Sequence, residues 1–207
     1  MVIGLGTGST VRFALEFLGE MITDRKIKDM VWIPSLKITE KISKRVGIPL
    51  GSLEDYPEID LTIDGADEVD PDMNLIKGGG GALLREKIIA QASKRNIIIV
   101  DESKLSPCLG TKFYLPVEVI PFGYAMEKRF IKSLGAEVKI RQETEGYPFL
   151  TDQGNYILEC NFGPIRDLET LSTILDGRAG IMAHGLFVRL ATEVIIAQGT
   201  GIRYLKK

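Results

Sequence analysis

The stretch that most constrains this chain is residues 59–88, IDLTIDGADEVDPDMNLIKGGGGALLREKI. Its first five residues form a β-branched run of the kind that is buried in a parallel strand, and the run stops at Asp64-Gly65-Ala66-Asp67. Two carboxylates therefore leave one strand end together. Open α/β sheets bind ligands outside the carboxyl ends of their strands, which makes Asp64 and Asp67 candidates for chemistry. A loop leads on to Lys77, and Gly78, Gly79, Gly80 and Gly81 precede a helix expected over residues 82–95. Glycines let a backbone approach an anion with its N–H groups turned inward, and a helix N-terminus adds a favourable dipole. The segment reads as a cradle for phosphate or carboxylate.

Glu86 stands in the helix that follows. Its neighbours at three and four residues are Ala82, Leu83, Ile89 and Ala90, so it has no ion-pair partner within the helix. A carboxylate so placed is half-buried or faces a ligand. Each part of the stretch also has an ordinary reading. Arg85-Glu86-Lys87 can be a solvated triplet. Asp64 to Asp67 can be a turn, and the glycines can simply let a helix pack close to a sheet. Their ordered combination supplies acids, a base and a cation, which ordinary surface does not require.

The rest of the chain repeats the pattern of strand, polar cluster and helix. Residues 1–3 read as the end of a strand, followed by Gly4-Leu5-Gly6-Thr7-Gly8-Ser9-Thr10 and a helix to about Met21, with Ser9 as N-cap. A dinucleotide fingerprint needs G-x-G-x-x-G. Here the sixth position from Gly4 is Ser9, and no acid closes the second strand, so NAD is demoted. That second strand is expected at 30–33, before Pro34-Ser35, with a helix at 37–46 closed by Gly47. Another at 97–100 ends in Asp101-Glu102-Ser103-Lys104. In a parallel sheet with crossover helices, these polar ends share one edge.

From residue 117 the order changes to strand 117–120, helix 124–134, strands 137–141 and 156–160, helix 168–175 behind Asp167, and strand 181–188. This is the order of a split-βαβ, ferredoxin-like module, read as a lid or an assembly surface. Residues 190–197 and 202–205 are expected to return to the first domain as a helix or a strand pair. The fold class is thus α/β: a Rossmann-like parallel-sheet domain of residues 1–116 plus 189–207, with a smaller ferredoxin-like α+β domain of residues 117–188.

Composition narrows the function. A formal net charge of −2 lacks the basic excess of a nucleic-acid surface, so an anionic ligand has to be met locally. No run approaches the ~18 apolar residues of a membrane span, and no signal-peptide pattern opens the chain, which points to the cytoplasm. Cys108, Cys160 and the single His184 show no metal-ligand spacing, so no metal is expected.

GTGST at 6–10, DGAD at 64–67, KGGGG at 77–81 with LREK at 84–87, and DESK at 101–104 together resemble type A ribose-5-phosphate isomerase, in that family's order and over nearly the whole chain. The resemblance implies interconversion of ribose 5-phosphate and ribulose 5-phosphate through an enediolate, in the non-oxidative branch of the pentose phosphate pathway. It further implies no cofactor, and a homodimer or homotetramer. By that resemblance Glu86 is the base that carries the proton, and its apolar neighbours are expected to raise its pKa. Asp64 and Asp67 assist ring opening and orient hydroxyls, and Lys77 offsets negative charge. Thr7, Gly8, Ser9, Thr10, Gly65, Ala66, Gly78, Gly79, Gly80 and Lys104 are implied substrate contacts, the choice of phosphate loop staying open. Members of the family usually carry a helix before the first strand, whereas this chain starts on the strand, so any substrate contact from that helix is expected to be missing.

Two other classes fit parts of the pattern. A sugar-phosphate-sensing domain would keep the anion loops without needing a base at Glu86, but no helix-turn-helix segment accompanies them. A coenzyme A transferase would use Glu86 as a nucleophile. Turnover of ribose 5-phosphate separates the three.

Overall fold

The computed structural model of the chain describes residues 1–24, 26–45 and 47–206, and at Ser9 and Ile38 the backbone only. In chain order the strands are β1 Val2–Leu5, β2 Val31–Pro34, β3 Leu61–Asp64, β4 Glu68–Val69, β5 Leu75–Ile76, β6 Asn96–Asp101, β7 Leu115–Val119, β8 Glu137–Ile140, β9 Tyr156–Asn161, β10 Ile181–His184, β11 Leu186–Phe187, β12 Glu193–Gln198 and β13 Gly201–Lys206. The helices are α1 Ser9–Thr23, α2 Lys37–Arg45, α3 Leu83–Ala92, α4 Tyr124–Ser133 and α5 Leu168–Asp176. None of them is long and apolar enough to cross a membrane.

The chain forms two compact units. The first takes residues 1–65, 85–102 and 190–207. Its sheet runs β13-β12-β6-β3-β1-β2, with every neighbouring pair parallel except the β12–β13 hairpin. Residues 190–205 thus supply a strand pair rather than a helix. Val11, Leu15, Leu18 and Ile22 recur at helical spacing on α1 and pack with Ile3, Leu5 and Trp32. Ile89 of α3 packs in a separate cluster with Ile33 and Ile59. From β1 the chain moves outward to β2, then jumps back across β1 to β3 and continues the other way. The carboxyl ends of β1 and β3 therefore flank a topological switch point, where open α/β sheets hold their ligands.

The second unit takes residues 66–84 and 103–189. Its four-stranded sheet, β10-β7-β9-β8, is antiparallel throughout, and β7-α4-β8-β9-α5-β10 is the split-βαβ order expected from the sequence. Leu115, Val117, Val119, Ile131, Leu158 and Leu175 fill its core. Asp167 caps α5 as expected, accepting the Thr170 N–H at 3.0 Å.

The unit limits differ from the expected domain limits, because residues 66–84, 103–116 and 189 go with the antiparallel sheet. β5 pairs with β11 through Leu75↔Phe187 and Ile76↔Leu186, and β4 extends this into a three-stranded sheet. The buried Glu68 carboxylate also accepts the N–H groups of Gly110, Thr111, Lys112 and Phe113, at 2.9 to 3.2 Å. Two-residue strands and a carboxylate bonded to a distant loop leave no periodicity to read.

Several element limits also differ. Ser9 is the first residue of α1 and not its N-cap, a place taken by Gly8 at φ 112° without a side-chain bond. The strand expected at 59–63 is β3, which ends on Asp64, and α3 stops at Ala92 rather than 95. Residues beyond Ala92 leave the helix to bond the approach to β3: Lys94 N–H to Ile59 O at 2.9 Å, and Thr62 N–H to Arg95 O at 2.8 Å. The expected helix at 37–46 ends at Arg45, Val46 lying outside the described residues. The run 181–188 breaks at Gly185, where β10 leaves β7 and β11 joins β5.

Candidate active site

In the first unit three strand and helix ends converge. Asp64, the last residue of β3, is buried, and its Oδ1 accepts the Gly65 N–H at 2.7 Å and the Thr7 N–H at 3.2 Å. Thr7 follows β1, and its hydroxyl donates to Glu86 Oε1 at 2.8 Å. Glu86 sits in the first turn of α3 and is 4% exposed. One threonine thus ties the two acids together, its amide on Asp64 and its hydroxyl on Glu86. Gly6 makes the approach possible, since a Cβ there would lie 1.9 Å from Asp64 Oδ1. The half-buried or ligand-facing carboxylate expected at Glu86 is in fact almost wholly buried and faces the loop after β1.

The second unit carries the other acid and the cations. Asp67 Oδ2 accepts the Gly79 N–H at 2.7 Å. Lys77 follows β5, is 3% exposed, and donates its backbone N–H to Gly185 O at 2.9 Å. Its ammonium lies 5.5 Å from the centre of the Phe187 ring, within cation–π range. Arg141 donates from one nitrogen to the carbonyls of both Gly78 and Gly79. Lys104 lies on a 3-10 turn, Glu102–Lys104. Lys112 secures the chain on either side of it, donating to Ser103 O at 2.9 Å and Leu105 O at 2.6 Å.

Of the residues singled out from sequence, the structure brings Thr7, Asp64, Gly65 and Glu86 into direct contact. It separately joins Asp67 to Gly79 in the loop that begins at Lys77 and Gly78. Gly8 and Thr10 are exposed at the start of α1, Ala66 is partly buried, Gly80 is exposed on the glycine loop, and Ser9 contributes its backbone to the first turn. His184 is buried elsewhere in the second unit, its Nε2 3.1 Å from Asp176 Oδ1 and 3.2 Å from Ser172 Oγ. Among the described residues no group of three His, Cys, Asp or Glu side chains is placed to hold a metal ion. Glu68, Arg141 and Lys112 were not picked out from sequence. Glu68 could have been flagged as the acid adjoining DGAD, whereas nothing local marks Arg141 or Lys112.

Acids set out at the switch point of a doubly wound sheet, with a glycine loop leading into the helix that bears one of them, define an α/β enzyme. The family model of ribose 5-phosphate isomerase A (phosphoriboisomerase A) matches residues 31–201. A ribose-5-phosphate isomerase A of Desulfatibacillum aliphaticivorans is 54% identical over 206 residues, covering 100% of this chain and 90% of its own. The ribose 5-phosphate isomerase structure from Plasmodium falciparum superposes with a TM-score of 0.96 at 42% identity, over 100% of this chain and 91% of that one. A D-ribose-5-phosphate isomerase solved in complex with phospho-erythronic acid gives 0.97 at 36% identity, over 100% and 91%. The chain belongs to the ribose-5-phosphate isomerase A family.

Proposed function

We propose that this protein interconverts D-ribose 5-phosphate and D-ribulose 5-phosphate, with Glu86 as the proton-carrying base. The observation that carries the assignment of the base is the Glu86 carboxylate, buried in the first turn of α3 and held by the Thr7 hydroxyl beside Asp64. In the open-chain aldose Glu86 removes the proton on C2. The C–H electrons form the C1–C2 double bond, and the carbonyl oxygen O1 becomes an oxyanion. O1 then gains a proton, O2 loses one, and Glu86 returns its proton to C1, leaving the ketone at C2. One proton has moved between carbons and one between oxygens, with no outside oxidant.

The other groups follow from the same demands. Asp64 and Asp67 assist ring opening and orient hydroxyls, Lys77 offsets the enediolate or phosphate charge, and Lys104 contacts the substrate. Thr7, Thr10 and the glycine loop offer N–H groups and hydroxyls to anionic oxygens. A phosphorylated aldonic acid, bound by one of the related structures, has both a phosphate and a planar anionic end, the two features that this reading asks of a ligand. Non-catalytic sugar-phosphate sensing would not require a base placed as Glu86 is.

Carbon NMR on the purified chain with ribose 5-phosphate is expected to show ribulose 5-phosphate appearing. In deuterium oxide, some solvent label is expected at C1 of the ketose. No ketose under conditions that keep the chain folded would refute the assignment.

We also infer a cytoplasmic homodimer or homotetramer. The described cysteines, Cys108 and Cys160, are both free, as in a reducing compartment, and burial with the nearby Glu159 carboxylate pushes the Cys160 thiol far up, so it stays protonated. Phe122, Met126 and Met182 are apolar and exposed on the second unit, as are Phe13 and Phe17 on the first. Sedimentation at micromolar concentration is expected to give a mass of two or four chains; a monomer would count against this.

A further inference from the structure

Arg141 follows β8, 63 residues from Gly78, and it holds the carbonyls of the glycine loop while Asp67 holds the Gly79 N–H. Its Nη1 donates to Gly78 O at 3.0 Å and to Gly79 O at 3.1 Å. The rest of the guanidinium is ion-paired with Glu159 of β9 and lies 5.6 Å from the centre of the Phe149 ring. A planar fork held on three sides has one orientation.

That orientation decides where the loop's N–H groups point. In a trans peptide the C=O and N–H point in opposite directions. The first group pairs Gly78 C=O with Gly79 N–H: Arg141 holds the carbonyl, and Asp67 Oδ2 takes the N–H at 2.7 Å. The second pairs Gly79 C=O with Gly80 N–H. Drawing that carbonyl onto Arg141 turns the Gly80 N–H away from the guanidinium, at an exposed position. Gly78 stands at φ 106°, and consecutive glycines left to themselves sample many peptide orientations. The Gly81 N–H closes the turn on Gly78 O at 3.0 Å but leaves the Gly79 carbonyl unheld, and Arg141 is the clamp that fixes that second peptide before the ligand arrives.

We propose that Arg141 is a positioning residue of the isomerase reaction, setting the two peptide planes of Gly78 to Gly80 so that the Gly79 N–H stays on Asp67 and the Gly80 N–H meets an anionic oxygen of the substrate. The proposal rests on the isomerase reading given above. It separates Arg141 from a purely structural arginine, which Glu159 alone would satisfy.

The test is steady-state kinetics on the full chain as parent, Arg141→Ala and Arg141→Lys, with thermal melting of each. Arg141→Ala is expected to lose roughly 10²-fold in kcat/KM, the scale of a small misplacement in a site. A few millimolar guanidinium should restore part of it saturably, while leaving the parent unchanged. Arg141→Lys retains the charge but not the planar fork, so it is expected to recover little. The proposal fails if folded Arg141→Ala stays within twofold of the parent, or if Arg141→Lys matches the parent. It also fails if the loss in Arg141→Ala tracks a fall in melting temperature and guanidinium restores nothing. Should Arg141→Ala not fold, the kcat and KM of Arg141→Lys decide alone. An inactive parent would instead overturn the isomerase reading.

Discussion

Glu86→Gln is expected to keep substrate binding and to lose roughly 10²- to 10⁴-fold in kcat, about 3 to 5 kcal/mol of transition-state stabilisation. Glutamine has nearly the volume of glutamate, and its carbonyl oxygen can still accept from the Thr7 hydroxyl, so the geometry joining Thr7 to Asp64 survives. What the amide cannot do is take the proton from C2. The loss should therefore fall on kcat, with KM moving little. Glu102→Gln is the control: that residue also follows a strand end, but it is exposed and makes no part of the proposed chemistry, so its variant should stay within a few-fold of the parent. Near-parent turnover by a folded Glu86→Gln would move the base to Asp64 or Asp67.

The second large effect is on stability, and it falls on Glu68. Its carboxylate is wholly buried and accepts four backbone N–H groups, from Gly110, Thr111, Lys112 and Phe113. Glu68→Leu removes the acceptors and leaves four part-buried donors without them. An unmet buried donor costs about 1 to 3 kcal/mol, and less where solvent reaches it, so a loss of about 3 to 5 kcal/mol over the four is expected. Urea unfolding should show the midpoint falling accordingly, and the amides of Thr111, Lys112 and Phe113 should lose protection from hydrogen exchange. Glu68→Gln keeps one acceptor oxygen and should fall between. A Glu68→Leu midpoint indistinguishable from the parent's would mean that another group satisfies those amides. Lys112 belongs to the same loop and holds the carbonyls on either side of Lys104, so activity should fall with stability in this variant.

Much of this protein is legible from its residues in order. Short β-branched runs, each followed by a polar cluster and a helical period, point to parallel strands with crossovers, because the repeated alternation of short run and helix suits strands buried on both faces and joined by crossover helices. Asp64, Asp67, Lys77 and Glu86 stand out for the same reason: charged groups abut apolar runs just where strand or helix ends leave the core. The β-α-β-β-α-β order of the second unit is equally local, since each helix and strand carries its own period and stop signal.

Tertiary structure alone decided what those groups touch. The Thr7 hydroxyl reaches Glu86 across 79 residues of chain, and no property of either residue in sequence announces the other. Glu68 reads as one more surface acid after DGAD until the fold sets four distant amides around it. Arg141 reads as an ordinary strand-end charge until β8 and β9 bring it beneath the carbonyls of Gly78 and Gly79. β4, β5 and β11 are two residues each, too short for any period, and their pairing moved residues 66–84 and 103–116 into the second unit. Hydrophobic period is written into the chain residue by residue, whereas a hydrogen bond between distant segments exists only once packing has set its donor and acceptor within about 3 Å.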